Sequence, residues 1–336
     1  TPAARLPPKD RLMGRFDTRR IGQYGLVLVI AVTLNFLLPR LMPGNPLALI
    51  AGVDVGLLSP DQRAELVQEF GLDTPVWQQY LRYWQDLLSL DLGYSYRSGQ
   101  AILDMLLERL PWTLLLTGSA LLISGVIGIV AGAVSAWRRG SAMDLTLLTS
   151  MIGLESMPAF WLGMLLISGF AVSLGVLPSF GAETAVSGLE GWDRLVDIAE
   201  HAVLPVLTLS IVSTPGVYMT MRYSMLEVLG EDFIRTGRAK GATERRLLFR
   251  HVARNALAPV LTVLALRLGY AFGGTVVIET VFSYPGLGRL VFEAVGGRDY
   301  PVMQAAFLVF TFAVLAANLL AELVYPLLDP RTRASA

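Results

Sequence analysis

The chain contains no cysteine. That excludes disulfides, thiolate metal sites and cysteine nucleophiles. Histidine is confined to His201 and His251, so a His-rich metal site has no donors and no metal is expected. Lysine is confined to Lys9 and Lys240, and neither follows a glycine. A G-x-x-x-x-G-K phosphate loop therefore cannot exist, and the chain cannot be a P-loop ATPase by itself. Charge is also scarce, at 16% of residues, against about 25% in soluble domains. The formal net charge is zero, which argues against a globally basic nucleic-acid binder. No Ser-His, His-cluster or paired intramembrane carboxylate arrangement supports an enzyme.

What the chain has in abundance is apolar sequence. Hydrophobic residues make up 54% of its 336 positions and the mean hydropathy is +0.55. A transmembrane helix needs ~20 mostly apolar residues to cross ~30 Å of hydrocarbon. Six windows qualify: 21–42, 112–137, 145–174, 202–221, 257–282 and 303–328. Lipid cannot satisfy loose backbone groups, so helices are the expected form. The first window has a basic flank (Arg15, Arg19, Arg20) but is followed by PRLMPGNP. It reads as a retained helix rather than a cleaved signal. The expected fold class is an all-α integral membrane protein with six transmembrane helices and a helical external insertion between the first two.

Arginine and lysine set the orientation. They gather in the segment 1–20, after the second span (Arg138, Arg139), after the fourth (Arg222 and the basic window below) and in the tail 329–336. The alternate loops are acidic. Residues 53–109 carry nine acids against four arginines, and the loop 175–200 has Arg194 against Glu183, Glu190, Asp193, Asp197 and Glu200. Both termini are therefore expected in the cytoplasm. The parts are a tail (1–20), a first helix (21–42), an external helical loop (43–111), a five-helix core (112–328) with a cytoplasmic loop at 223–256, and a tail (329–336). In the external loop, Ser59 ahead of Pro60 reads as a helix cap and Gly71 as a stop. A second helix follows Pro75, with Leu81, Trp84, Leu87 and Leu88 on one face.

The window RTGRAKGATERRLLFRHVARNALAPV, residues 235–260, is the most basic in the chain. Arg246, Arg250 and Arg254 are spaced to share one helical face, and Gly241 is placed to break or cap a preceding helix. No aromatic platform accompanies this charge, so nucleic acid is not its expected partner. The stretch EVLGEDFIRTGRAKGATERRLLFRHVARNALAPVL resembles the cytoplasmic EAA loop of ABC-importer permeases, in the dipeptide/oligopeptide/nickel branch. LPRLMPGNP, VVIETVFSYPGLGRLVFEAVGGRDYPVMQA and the terminal LLDPRTR fit the same branch, so the likeness runs from Ile21 to Arg333. One departure is Gly237, where that branch has alanine.

The resemblance implies a type I importer permease fold in a bacterial inner membrane. Residues 240–249 would form a coupling helix seated on a separate ATPase. The implied coupling residues are Arg235, Arg238, Lys240, Gly241, Ala242, Glu244, Arg245, Arg246 and Leu248. Implied partners are a homologous sister permease, two ATPase subunits or one fused ATPase, an external substrate-binding protein and membrane lipid. ATP and magnesium would sit on the partners, with no cofactor in this chain. Peptides lead as cargo; nickel chelates, glutathione and oligosaccharides stay open.

Glu155, Arg267 and Glu279 are charges inside the apolar windows. A charge at mid-membrane costs about 2.5–3.5 kcal/mol on insertion scales, so each should face protein or a watery path. Glu155 and Arg267 lie at similar depth in spans three and five and are expected to pair, directly or through water, or to line the translocation path. Glu279 lies near the outer edge, ahead of a turned loop with Tyr284, Pro285, Gly286 and Gly288 that the resemblance makes an external gate. Gly128 and Gly132 allow close helix approach. Pro158, Pro205 and Pro215 are expected to kink their helices. The competing function is an ion-driven secondary transporter using Glu155.

Overall fold

The computed structural model describes residues 18–41, 59–69, 73–185 and 188–328. The PGNP segment, Gly71, most of the tail 1–20 and all of the tail 329–336 lie outside them. Thirteen α-helices are described: α1 (Thr18–Leu41), α2 (Pro60–Glu69), α3 (Val76–Leu88), α4 (Ile102–Trp137), α5 (Ala142–Glu155), α6 (Ala159–Leu166), α7 (Gly191–Leu229), α8 (Asp232–Ala239), α9 (Glu244–Leu247), α10 (Ala253–Gly274), α11 (Val276–Val281), α12 (Leu287–Gly297) and α13 (Tyr300–Leu328). Two π-helical stretches, Ile167–Ser173 and Leu248–Val252, continue α6 and α9. Among the described residues there is no strand, only an isolated bridge between Tyr94 and Ala101.

Helices occupy all six apolar windows, but their ends differ from the hydropathy limits. The helix expected to begin at 112 begins at Ile102, and α7 overshoots 202–221 at both ends. Hydropathy stops where charge appears, whereas a helical backbone continues into water with its charges solvated. Among the described residues, three helices are long and apolar enough to cross a membrane: Ile102–Trp137, Gly191–Leu229 and Tyr300–Leu319.

The third window is not one kinked helix. It is broken: α5 ends at Glu155, Pro158 caps α6, and the two axes bend by 99°. Proline lacks the N–H that would continue the ladder and disfavours helical geometry in Met157 before it. Pro205 and Pro215, in contrast, lie inside an unbroken α7.

The core runs along the bundle in three clusters. One contains Ile102, Leu290 and Ala306, the next Leu116, Leu204 and Phe282, and the third Val217, Met225, Ile234 and Val260. The most extensive packing joins α4 to α7. Its closeness depends on glycine. A Cβ on Gly128 would lie 2.7 Å from Val217 Cβ, and one on Gly132 would lie 2.7 Å from the Tyr218 carbonyl oxygen. Close approach of this kind is the expected use of small residues in membrane bundles.

A buried polar clamp fastens α4, α5 and α7 at the basic end. Arg222 donates from Nε and Nη2 to the two Asp144 oxygens at 2.9 and 3.1 Å. Ser135 also donates to Asp144, and Tyr218 shares a 2.6 Å hydrogen bond with Ser135. Gly140 N–H donates to Asp144 at 3.0 Å. Arg222, a topological charge in the sequence, is thus committed inside the bundle.

At the far end, Asn35 and Gln304 exchange side-chain-to-backbone bonds of 2.8 Å, holding α1 against α13. Ser59 and Gln62 form the reciprocal capping box that starts α2, as Ser59 predicts. Tyr80 of α3 meets Thr33 at 2.7 Å and stacks edge-on to Phe36. The expected shared face of α3 is divided. Leu81 and Leu88 are exposed, Trp84 and Leu87 are half-buried, and Tyr80 and Tyr83 make the seat on α1.

Candidate functional site

The basic window folds as a helical hairpin rather than a single coupling helix over 240–249. Helix α8 precedes Gly241, residues 240–243 form the turn, and α9 starts only at Glu244. Gly241 adopts φ +78°, a left-handed conformation that costs other L-residues energy. Its N–H donates to the Arg238 carbonyl at 2.9 Å, and that of Ala242 donates to Gly237 at 3.1 Å. These two bonds are a Schellman stop, which satisfies the carbonyls left free at a helix end.

Arg238 and Glu244 close the turn at 2.8 and 3.2 Å. Arg235 approaches Asp232 at 3.7 Å. Arg235, Arg238, Lys240, Gly241, Glu244, Arg245 and Arg246 are exposed and Ala242 is half-buried. Ile234 and Leu247 are buried and anchor the hairpin. Gly237 has a local reason: a Cβ there would lie 2.8 Å from Leu247 Cδ2. Leu248, expected to act in coupling, is half-buried and packs against the chain's own core. The π stretch over Leu248–Val252 adds a residue per turn. The backbone from residue 246 to 254 is therefore not one continuous α-helix, and four-residue spacing does not define a face there. Phe233, with 36% of its surface exposed on α8, was missed because one apolar residue among charges gives no periodic signal.

Glu279 is fully buried and serves the turned loop. It accepts from Thr113 Oγ1 at 2.8 Å and from Arg289 N–H at 3.0 Å, while Thr113 Oγ1 accepts from Leu287 N–H at 2.8 Å. Leu287 and Arg289 open α12, so the carboxylate and its threonine cap that helix and offset its end charge. Gly286 and Gly288 make room: a Cβ on Gly286 would lie 2.4 Å from the Glu279 oxygens, and one on Gly288 would lie 2.6 Å from Val276 Cα. Tyr284 is buried and meets Trp112 edge-on at 5.8 Å between centroids, and half-buried Pro285 follows it. Thr113 carried no signal in the sequence, because a lone threonine in an apolar helix has no visible partner.

Glu155 and Arg267 form no direct ion pair. Arg267 Nη1 donates to the Ser213 carbonyl at 2.9 Å. Its other terminal nitrogen lies over Gly216, where a Cβ would sit 1.9 Å away. Glu155 is exposed at the end of α5, within electrostatic reach of the guanidinium.

Apolar helices carrying buried polar clamps, one sharply bent helix pair and an exposed basic hairpin fit a multi-pass membrane protein. The chain belongs to the family described as binding-protein-dependent transport system inner membrane component, whose model matches residues 128–334; the N-terminal model of the same systems matches residues 13–117. The chain is 36% identical over 340 residues to the dipeptide transport system permease protein DppB of Escherichia coli (strain K12), covering 96% of this chain and 99% of that one. It is 36% identical over 321 residues to the oligopeptide transport system permease protein AppB of Bacillus subtilis (strain 168), covering 95% and 99%. The glutathione transport system permease protein GsiC of Escherichia coli O6:H1 is 37% identical over 316 residues, covering 94% and 97%. In fold the chain is similar to a chain of the inward-facing MetNI methionine ABC transporter, at TM-score 0.55 and 18% identity over 67% of this chain and 96% of that one.

Proposed function

We propose that this chain is one of two homologous permeases of an ATP-driven importer for di- and oligopeptides. The observation that carries the reading is the basic hairpin, held to the bundle by Ile234 and Leu247 and presenting Arg235, Lys240, Arg245 and Arg246 outward. That surface suits a groove on an ATPase, and this chain has no phosphate loop of its own. Two ATPase subunits, or one fused ATPase, would bind ATP and magnesium. An external binding protein would deliver the peptide. Six helices cross the membrane with both termini in the cytoplasm. ATP-driven closure of the ATPases pulls the hairpin, and through Ile234 and Leu247 it moves the helices in alternating access. The peptide relatives favour this cargo, and the glutathione-system relative keeps a tripeptide-like cargo within range.

The test is reconstitution of the whole complex in proteoliposomes. Peptide uptake should require ATP, the ATPases and the binding protein. Reversing Arg245 and Arg246 to glutamate should detach the ATPases while the chain still inserts. Gradient-driven uptake by this chain alone would replace the reading with the secondary-transporter one.

A further inference from the structure

The Asp144–Arg222 clamp sets a common level on α5 and α7. Glu155 lies eleven residues beyond Asp144 on α5, ~16 Å at ~1.5 Å per residue. Ser213, which holds Arg267, lies nine residues from Arg222 on α7, ~13 Å. The two charges therefore reach similar depth by independent routes.

Lipid cannot solvate a carboxylate at that depth, yet Glu155 is exposed on this chain. The backbone beside it is also irregular, since α5 and α6 break at Ser156–Pro158 with a 99° bend. Irregular backbone at membrane depth is tolerated where it is covered by protein or lines a water-filled cavity. Both observations mark this face as turned away from lipid. Among the described residues Glu155 has no hydrogen bond or ion pair, and Arg267 commits one nitrogen to Ser213. An acceptor for an ammonium group and a fork for a carboxylate thus stand at similar depth, within electrostatic reach of one another and without a direct bond between them.

We infer that Glu155 and Arg267 form a two-ended specificity site on the translocation face, taking the α-ammonium and α-carboxylate of a short peptide with free termini. This rests on the importer reading above. Gly216 is a positioning residue, since it leaves the space that the Arg267 fork occupies.

The chain's lack of cysteine permits a direct test. In the full complex with its ATPases and binding protein, Ser156→Cys, exposed beside Glu155 and leaving that carboxylate in place, should react with a charged, water-soluble methanethiosulfonate. Alanyl-alanine under transport conditions should slow that reaction, and adding Gly216→Ala, which displaces the Arg267 fork, should remove the protection. Glu155→Gln should lower alanyl-alanine uptake by about tenfold or more, the worth of one charge-assisted contact, with Glu155→Asp recovering part. A thiol that is unreactive in every state, or equally reactive with and without peptide, overturns the site. So does a Glu155→Gln complex that fails to assemble, which would make the residue a static contact with the sister chain. If the unmodified complex shows no ATP-driven alanyl-alanine uptake, the importer reading falls and the site with it; normal uptake with an unprotected thiol removes the site alone.

Discussion

Arg238 and Glu244 face each other across the Gly241 turn and are joined by two roughly parallel hydrogen bonds, Nε–Oε1 and Nη2–Oε2, of 2.8 and 3.2 Å. Both side chains are about half exposed, so the pair contributes little to global stability, on the order of 0–1 kcal/mol. Its effect is local, because it ties the end of α8 to the start of α9. Glu244→Ala should leave the thermal midpoint of the protein nearly unchanged while amide exchange across 240–244 speeds up. Unaltered exchange there would show that the Schellman bonds alone hold the turn.

Gly241 has open space around its α-carbon and a left-handed backbone. Conformation, and not side-chain volume, is therefore the constraint. Forcing an L-residue into this region costs ~1–2 kcal/mol, less for asparagine. Gly241→Ala and Gly241→Val should both reduce peptide uptake per ATP hydrolysed, with membrane insertion intact, and Gly241→Asn should be the mildest. A penalty that tracks side-chain size would contradict this ordering.

The Asp144–Arg222 clamp is buried on both sides. Removing one partner leaves an uncompensated buried charge, at about 3–5 kcal/mol. Asp144→Ala and Arg222→Ala should each lower the thermal midpoint of the purified complex strongly. The double replacement Asp144→Leu with Arg222→Leu should lose less than the sum of the single changes. Additive losses would mean that the two residues act separately.

Asp86 stands on α3, in the segment between the first two apolar windows. Burial, reinforced by Asp91, pushes its carboxyl above the ordinary value, with Arg82 opposing. An acid whose folded pKa exceeds its unfolded one binds its proton more tightly when folded. Stability should then rise as pH falls through the folded value and level off below the unfolded one, near about pH 4. Amide protection in α3, taken relative to the intrinsic exchange rate at each pH, should rise on acidification in the native protein, and this gain should shrink in Asp86→Asn. An identical pH response in both proteins would contradict it.

Some of the site was legible before any coordinates. Gly241 could be placed at a turn because glycine after a basic helix has one common use. Gly128 and Gly132 could be read as a packing pair from their spacing. The extent of the α8–α9 hairpin was not legible: the Schellman stop moves the start of α9 to Glu244, and the π stretch at Leu248–Val252 shifts the register of the arginines. Neither leaves a trace in residue type at four-residue spacing. Pro158 was visible as a disturbance, but its 99° break was not, since proline is tolerated inside α4, α7 and α10.

By itself the sequence determined the helical membrane class, the six apolar segments, the alternating loop charge and the need for ATP chemistry elsewhere, if the transport is ATP-driven. Those are properties of composition and short windows, and lipid enforces them locally. Tertiary structure alone decided which charges meet. Arg222 finds Asp144 across 78 residues, Glu279 finds Thr113 across 166, and Arg267 takes the Ser213 carbonyl instead of Glu155. Such pairings depend on how each helix is rotated and how closely its glycines let a neighbour approach. Hydropathy carries neither quantity, so they are set only when the bundle packs.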